Sequence, residues 1–298
     1  MSVDTSVSLE KLNAAAAKEF VSALAGIYEQ SPWVAEVAAA SRPFATLATL
    51  HEFMSSAVLA ANDTRKLALL NAHPDLAGKA ARDGTLTVDS KAEQQGAGLD
   101  RLTEEELGDF QAFNDSYRAK FGFPFIICVL RHTKDSVLRQ LKRRSKNTLS
   151  AERDIAVNEV IRIAALRLER HVSANDHLKV NGLLSTHVLD TYSGRPAHGV
   201  AVGLRELWDS GDGRLVATAV TNADGRTDQP LISSRPIPIG RYELHFAIRD
   251  YFAQTGAVLP DPPFLDFVPV RFAIAEPESH YHVPLLVTPW SYSTYRGS

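Results

Sequence analysis

The apolar residues of this chain change their period once, between His171 and Leu183, and that change dictates the architecture. Upstream, Leu9, Leu12, Ala16, Phe20, Leu24 and Ile27 recur at steps of three and four, drawing one stripe along a helix. Similar stripes occur near 45–60, 103–120, 134–145 and 150–171, between breaks that carry Pro and Gly. Asp63, Ser90 and Thr103 stand where helix N-caps are expected. Downstream the period is two. Val200, Val202 and Leu204 alternate with small or polar residues, as do Tyr242, Leu244, Phe246 and Ile248. Ser210-Gly211-Asp212-Gly213 and Asn222-Ala223-Asp224-Gly225 supply turns between the runs. Short strands so spaced read as a sandwich or small barrel. The chain is therefore expected to be multidomain, all-α over 1–172 and all-β over 183–298, with a polar linker at 173–182.

Composition narrows the partners. A length of 298 residues suits two domains, and 45% hydrophobic with 22% charged residues is ordinary for a globular protein. A formal charge of -3 argues against nucleic acid or an anionic membrane as partner. No apolar run approaches the roughly 20 residues of a membrane helix. The single cysteine, Cys128, lies within Phe-Pro-Phe-Ile-Ile-Cys-Val-Leu and reads as packing. The start shows no basic-then-apolar signal, so a cytoplasmic protein is expected. The alternative is peroxisomal: Arg170-His171, five residues, then His177-Leu178 faintly matches an internal targeting nonapeptide, although His171 stands where an aliphatic residue belongs.

Four features of the β half carry chemistry: His187, Arg226, the strand-like run with His280 and His282, and the end Tyr295-Arg296-Gly297-Ser298. Alternation places His280 and His282 on one face, with Tyr281, Val283 and Leu285 on the other. Singly, each feature has an ordinary reading: a satisfied histidine, a solvated turn arginine, a frayed end. His-x-His on a strand can also hold zinc, with His187, His245 or a carboxylate as the further ligand.

The blocks Leu184–Asp190, Gly194-Arg195-Pro196-Ala197, Thr221–Arg226 and His280–Ser298 resemble the 5-hydroxyisourate hydrolases of the transthyretin family. The resemblance spans 183–298 and implies a transthyretin-like β-sandwich, a homotetramer and no metal. It also implies that His187, Arg226, His282 and the Tyr295/Ser298 tail act on substrate, with His280 left out. A histidine near neutrality can take a proton from water, and Arg226 can stabilise the negative charge that develops as the ring opens. Which histidine is the base stays open.

In the α half, His73-Pro74-Asp75-Leu76-Ala77-Gly78 follows a helical run, and Pro74 holds His73 at the helix end. The helix dipole there favours imidazolium. Ser90-Lys91-Ala92-Glu93-Gln94 reads as a capping box, Ser90 accepting from the Glu93 amide. Phe121-Gly122-Phe123-Pro124-Phe125-Ile126 is a break before an apolar stretch. On the last helix Ile161, Ala164, Ala165, Leu168 and Val172 form the stripe. Arg167 flanks it beside Val160 and Ile163, placed either to keep its head in water or to hold an anion in a cleft.

These segments resemble the 2-oxo-4-hydroxy-4-carboxy-5-ureidoimidazoline (OHCU) decarboxylases from roughly Leu12 to Leu168. The resemblance implies a helical, usually dimeric domain that needs no cofactor. It implies His73 as proton donor, with Pro74, Ser90, Lys91, Ala92, Glu93, Gln94, Phe125, Ile126, Ile127, Cys128, Val129 and Arg167 around the substrate. Glu93 and Gln94 would grip ring and ureido nitrogens, and Arg167 an anionic part. The family's product is the S isomer of allantoin, so proton delivery must be stereospecific. The first family's product is the second's substrate. The implied function is two-step urate breakdown, by a homo-oligomer that is tetrameric through its β half with dimer contacts through its α half. A carrier or scaffold on the same folds is the alternative, but it would lack these residues.

Overall fold

The computed structural model describes residues 6–78, 86–100 and 102–297. It divides into two units, Met1–Leu130 with Ser136–Val180, and Arg131–Asp135 with Asn181–Ser298. Each unit has its own apolar core. Along the chain a helix-rich region is followed by a β-rich one, as the change of period requires.

The helices are α1 (Leu9–Ala14), α2 (Ala17–Leu24), α3 (Trp33–Ala39), α4 (Leu47–Ala60), α5 (Asp63–Asn71), α6 (Val88–Gly96), α7 (Glu104–Phe121), α8 (Lys134–Arg144) and α9 (Leu149–His171). The stripe read from Leu9 to Ile27 is not one helix. Ala15 is extended, and the exposed Ala16 starts α2 by donating its N–H to Glu19. Two expected caps move by one to three residues. Asn62, not Asp63, accepts the Arg65 N–H at the start of α5, and Thr87, not Ser90, accepts the Ser90 N–H at the start of α6. Thr103 caps α7 in a reciprocal box with Glu106.

α9 is the central helix. Along it Ala156, Val157, Val160, Ile163, Ala164, Leu166 and Leu168 are all buried, so its apolar surface is wider than one stripe. The segment expected as a linker is partly built into this unit. Strand β2 (Val172–Ser173) pairs in parallel with β1 (Val7–Ser8). Asp176 accepts the Leu47 and Ala48 N–H groups at the start of α4, and Val180 joins the core.

The second unit packs two sheets. One runs β11 (Tyr292–Thr294), β10 (His280–Val287), β3 (Gly182–Asp190) and β4 (Arg195–Pro196), with β7 (Ile232–Arg235) also on β3. The other runs β6 (Gly213–Val220), β5 (Ala201–Leu207), β8 (Gly240–Ala247) and β9 (Phe267–Ile274). Core residues alternate along the strands: Leu184, Thr186 and Val188 are buried on β3, and Tyr281, Val283, Leu285 and Val287 on β10. That leaves Ser185, His187, His280 and His282 on the outer face. Ile248, which continues the alternation of β8 in sequence, instead begins a short helix, α10 (Ile248–Gln254), whose Ile248, Tyr251 and Phe252 plug the core at helical spacing.

Candidate active sites

In the β unit, the parallel pairing of β3 with β10 sets His282 opposite Ser185 and Pro284 opposite His187. The His187 and His282 rings stand 6.5 Å apart, centroid to centroid. The turn Asn222–Arg226 is drawn onto the same strand: Val188 donates its N–H to the Gly225 carbonyl at 2.8 Å, and His187 bridges to Arg226. Gly225 is required there, because its φ is +72° and a Cβ would lie 2.3 Å from the Val188 carbonyl oxygen. The chain end returns to the histidines. Thr294 pairs with Leu285, and the Gly297 N–H donates to the His282 carbonyl at 2.8 Å. Ser298 lies outside the described residues. Tyr295 is 57% exposed, and the tail is fixed through Thr294 and Gly297 instead.

Burial pushes both imidazoles below their ordinary range, and the Arg226 guanidinium pushes the same way. His187 also bonds the Asp224 backbone, while its Nε2 is buried without a partner. The backbone bond therefore falls to Nδ1–H, leaving the Nε2 lone pair bare. His282 Nδ1 shares Ser185 Oγ with His280 Nε2, 3.0 Å from each. Among the described residues no group of three His, Cys, Asp or Glu side chains could hold a metal ion, so His280 and His282 lack the third ligand that the zinc reading needs. Ser185 was not singled out in the sequence, although its spacing from His187 puts it on the same face.

The α unit has a narrow cleft lined by His73, Pro74, Leu76, Ser90, Glu93, Gln94, Phe125, Ile126, Ile127, Val129, Ile163 and Arg167. Ser90, Glu93 and Gln94 reach it from one face of α6, being three and four residues apart. Lys91 and Ala92 lie on the exposed side, and Cys128 is buried outside the lining. The Cys128 N–H donates to Glu159 at 2.8 Å, and the Ile126 carbonyl accepts from Arg144 at 2.8 Å. Arg144 in turn meets the fully buried Glu152, which also accepts from Tyr117. A buried polar network thus anchors one side of the 125–129 segment. The His73–Gly78 turn is pinned from two helices: Asn114 donates to the Leu76 carbonyl, and the Ala77 N–H to Gln94 Oε1. Ala77 is held at φ 51°, a left-handed conformation unusual for alanine.

His73 is buried, and its Nδ1–H donates to the Leu69 carbonyl at 3.0 Å. Desolvation brings its pKa down to about 4, against the smaller upward pulls of Leu69 and Glu29. The imidazolium form expected from the helix dipole is overridden by burial. The imidazole is neutral at neutral pH, with its Nε2 lone pair available.

Arg167 does not keep its head in water. It is 2% exposed, and all five of its N–H donors are engaged. Nε and Nη2 grip Glu93 at 2.8 and 3.0 Å, Nη1 donates to Glu29 at 2.8 Å and the Gly26 carbonyl at 3.0 Å, and Nη2 also meets Ser90 at 3.2 Å. The capping-box reading of Ser90 and Glu93 fails for the same reason: Glu93 is turned to Arg167, and the Ser90 hydroxyl donates to Glu29 at 3.1 Å. Glu29 was missed in the sequence, where it follows Ile27-Tyr28 as a polar residue at the end of an apolar stripe.

The OHCU decarboxylase family model matches residues 13–169, and the HIUase/Transthyretin family model matches 184–297. A 5-hydroxyisourate hydrolase of Rhizobium meliloti is 56% identical over 119 residues, 40% of this chain and 98% of the relative. An OHCU decarboxylase of Halalkalicoccus jeotgali is 41% identical over 165 residues, 55% of this chain and 92% of the relative. A crystal structure of (S)-allantoin synthase aligns over 98% of this chain and 100% of its own, at 37% identity and a TM-score of 0.52.

Proposed function

The chain belongs to the OHCU decarboxylase family through its helical half and to the HIUase/transthyretin family through its β half, and from that membership we propose that it converts 5-hydroxyisourate to (S)-allantoin in two consecutive reactions. The observation that carries the reading is the alignment with a solved (S)-allantoin synthase over 98% of the chain, because it spans both halves at once.

In the β half, His187 Nε2 takes a proton from water, and the oxygen adds to the ring amide carbonyl. The ring C–N bond then breaks, and the departing nitrogen receives a proton. The bare Nε2 lone pair supports His187 as the base, and His282 shares the proton transfers. Arg226, close enough to depress both histidines, faces the negative charge that develops. Its product, OHCU, is the substrate of the α half.

There the carboxylate enters an apolar wall of Phe125, Ile127, Val129 and Ile163. Loss of carbon dioxide leaves an electron pair that the adjacent ring C=N and C=O absorb, and a proton delivered to one face fixes the hand of the product. His73 is placed for that delivery, but it starts neutral, so Nε2 must first accept from solvent, as the complex forms, the one proton that decarboxylation consumes. Gln94 spends its carbonyl on Ala77 and keeps its amide N–H groups for the substrate. Glu93 reaches substrate from its grip on Arg167. We further infer a homo-oligomer, tetrameric through the β half, which sedimentation would test.

Freshly generated 5-hydroxyisourate, followed by absorbance and circular dichroism, tests both halves. Accelerated loss of its band reports the first reaction and a signed allantoin signal the second. A loss no faster than the spontaneous one, or a signal of zero, overturns the corresponding half.

A further inference from the structure

Glu29 is a buried charge that the reaction scheme above leaves unused. It is 3% exposed, and its carboxylate joins two helices of the decarboxylase site. It accepts from Arg167 of α9 at 2.8 Å, from Ser90 of α6 at 3.1 Å, and from Thr87, the residue that caps α6, at 2.9 Å. Arg167 is a rigid five-donor fork, and its orientation is fixed only when the donors at both ends are held. Glu93 holds Nε and one side of Nη2, while Glu29 and the Gly26 carbonyl hold Nη1. Without Glu29, the guanidinium can pivot on Glu93, or move to an anionic substrate and take Glu93 with it.

We propose that Glu29 is a positioning residue of the decarboxylase site, which locks Arg167 against Glu93 and places a fixed negative charge beside His73. This assignment rests on the function proposed above for the α half. One guanidinium then faces two carboxylates around a neutral imidazole. The charged groups that act on His73 are Glu29, from the segment after α2, which favours its protonation, and Arg167, from α9, which opposes it, while Glu93 of α6 lines the same cleft. Asp75, on the histidine's own turn, is occupied by Arg118 at the surface. A negative neighbour favours imidazolium, so Glu29 makes it easier for Nε2 to accept the proton that it later delivers. It does so without touching the substrate.

The test is Glu29→Gln in the full chain, with the hydrolase rate of the same molecule as the control for protein concentration and its far-ultraviolet circular dichroism as the control for folding of the helical half. Decarboxylation of OHCU is followed from pH 4 to 8. The expected result is a kcat at least tenfold lower with hydrolysis unchanged. The alkaline-side loss of kcat, where His73 gives up its proton in the complex, should move to lower pH, because removing the negative charge weakens that protonation. A residue that only filled space would leave the profile in place. Decarboxylation within twofold of wild type, or an alkaline limb that coincides with it, overturns the assignment. If Glu29→Gln loses that helical signal, Glu29→Asp decides instead. It keeps the charge but shortens the reach, so a slower reaction with an unmoved limb is expected, and an undiminished rate is fatal. If wild type itself does not decarboxylate OHCU, the proposed function of this half is what fails.

Discussion

His187 and His282 are each held below the ordinary histidine range by burial and by Arg226. The sign of the pH dependence follows. A base works while unprotonated, and a lowered pKa extends that form to lower pH. Hydrolysis should therefore lose half its rate below the ordinary histidine value of about 6.5, and a midpoint at or above that value would contradict the assignment. His282→Asn should slow hydrolysis by roughly 10²-fold or more while leaving decarboxylation intact. Arg167→Met tests the other cluster. It strands Glu29 and Glu93 in a dry site, and breaking such a pair costs about 3–5 kcal/mol. Urea unfolding of the helical half should show that loss, and a change under about 1 kcal/mol would mean that the two carboxylates do not depend on the guanidinium. His73, Glu93 and Arg167 were legible in sequence because they sit in short, unusual strings. Their partnership was not, since Arg167 and Glu93 are 74 residues apart and nothing local says which carboxylate a buried guanidinium will choose. The capping box misled because Ser-x-x-Glu satisfies a helix start equally well whether or not a cation competes for both side chains.

At the scale of elements, the period of the apolar residues carried the α-then-β order, and alternation on β10 correctly put both histidines on one face. It failed at Ile248, where one residue fits both periods and only tertiary packing chose the helix. The pairing of β3 with β10 was invisible too, because the partners lie about 97 residues apart. That pairing turns two separated histidines into one site, and the tail then closes on it. Gly297 makes the closure possible: a Cβ there would come 2.8 Å from His282 Cδ2. Gly297→Ala should therefore push the tail off or turn the imidazole. A shift of about 1 Å at a reacting group can cost roughly 10²-fold, so hydrolysis should fall by at least about tenfold. Decarboxylation measured on the same sample should stay constant. Hydrolysis within twofold of wild type would remove the tail from the mechanism.

Across the whole molecule, each half buries its own apolar core and keeps its own polar cluster, so neither site needs the other's residues to be assembled. What the fusion adds is proximity. Decarboxylation of the intermediate free in water would take its proton on either face and give product of mixed hand, and covalent linkage is expected to raise its concentration at the second site without any new contact, to about the millimolar range for short flexible connections. The consequence can be measured without cutting the chain. His73→Ala blocks one half and His282→Asn the other. The two purified variants, mixed so that active-site concentrations match wild type, must pass the intermediate through bulk solution. At low protein concentration the mixture should give allantoin of lower optical purity than wild type. The gap should close as both are concentrated, because free diffusion then competes with spontaneous decay. Equal purity at every concentration would show that the intermediate always escapes before capture, and linkage would confer no kinetic advantage.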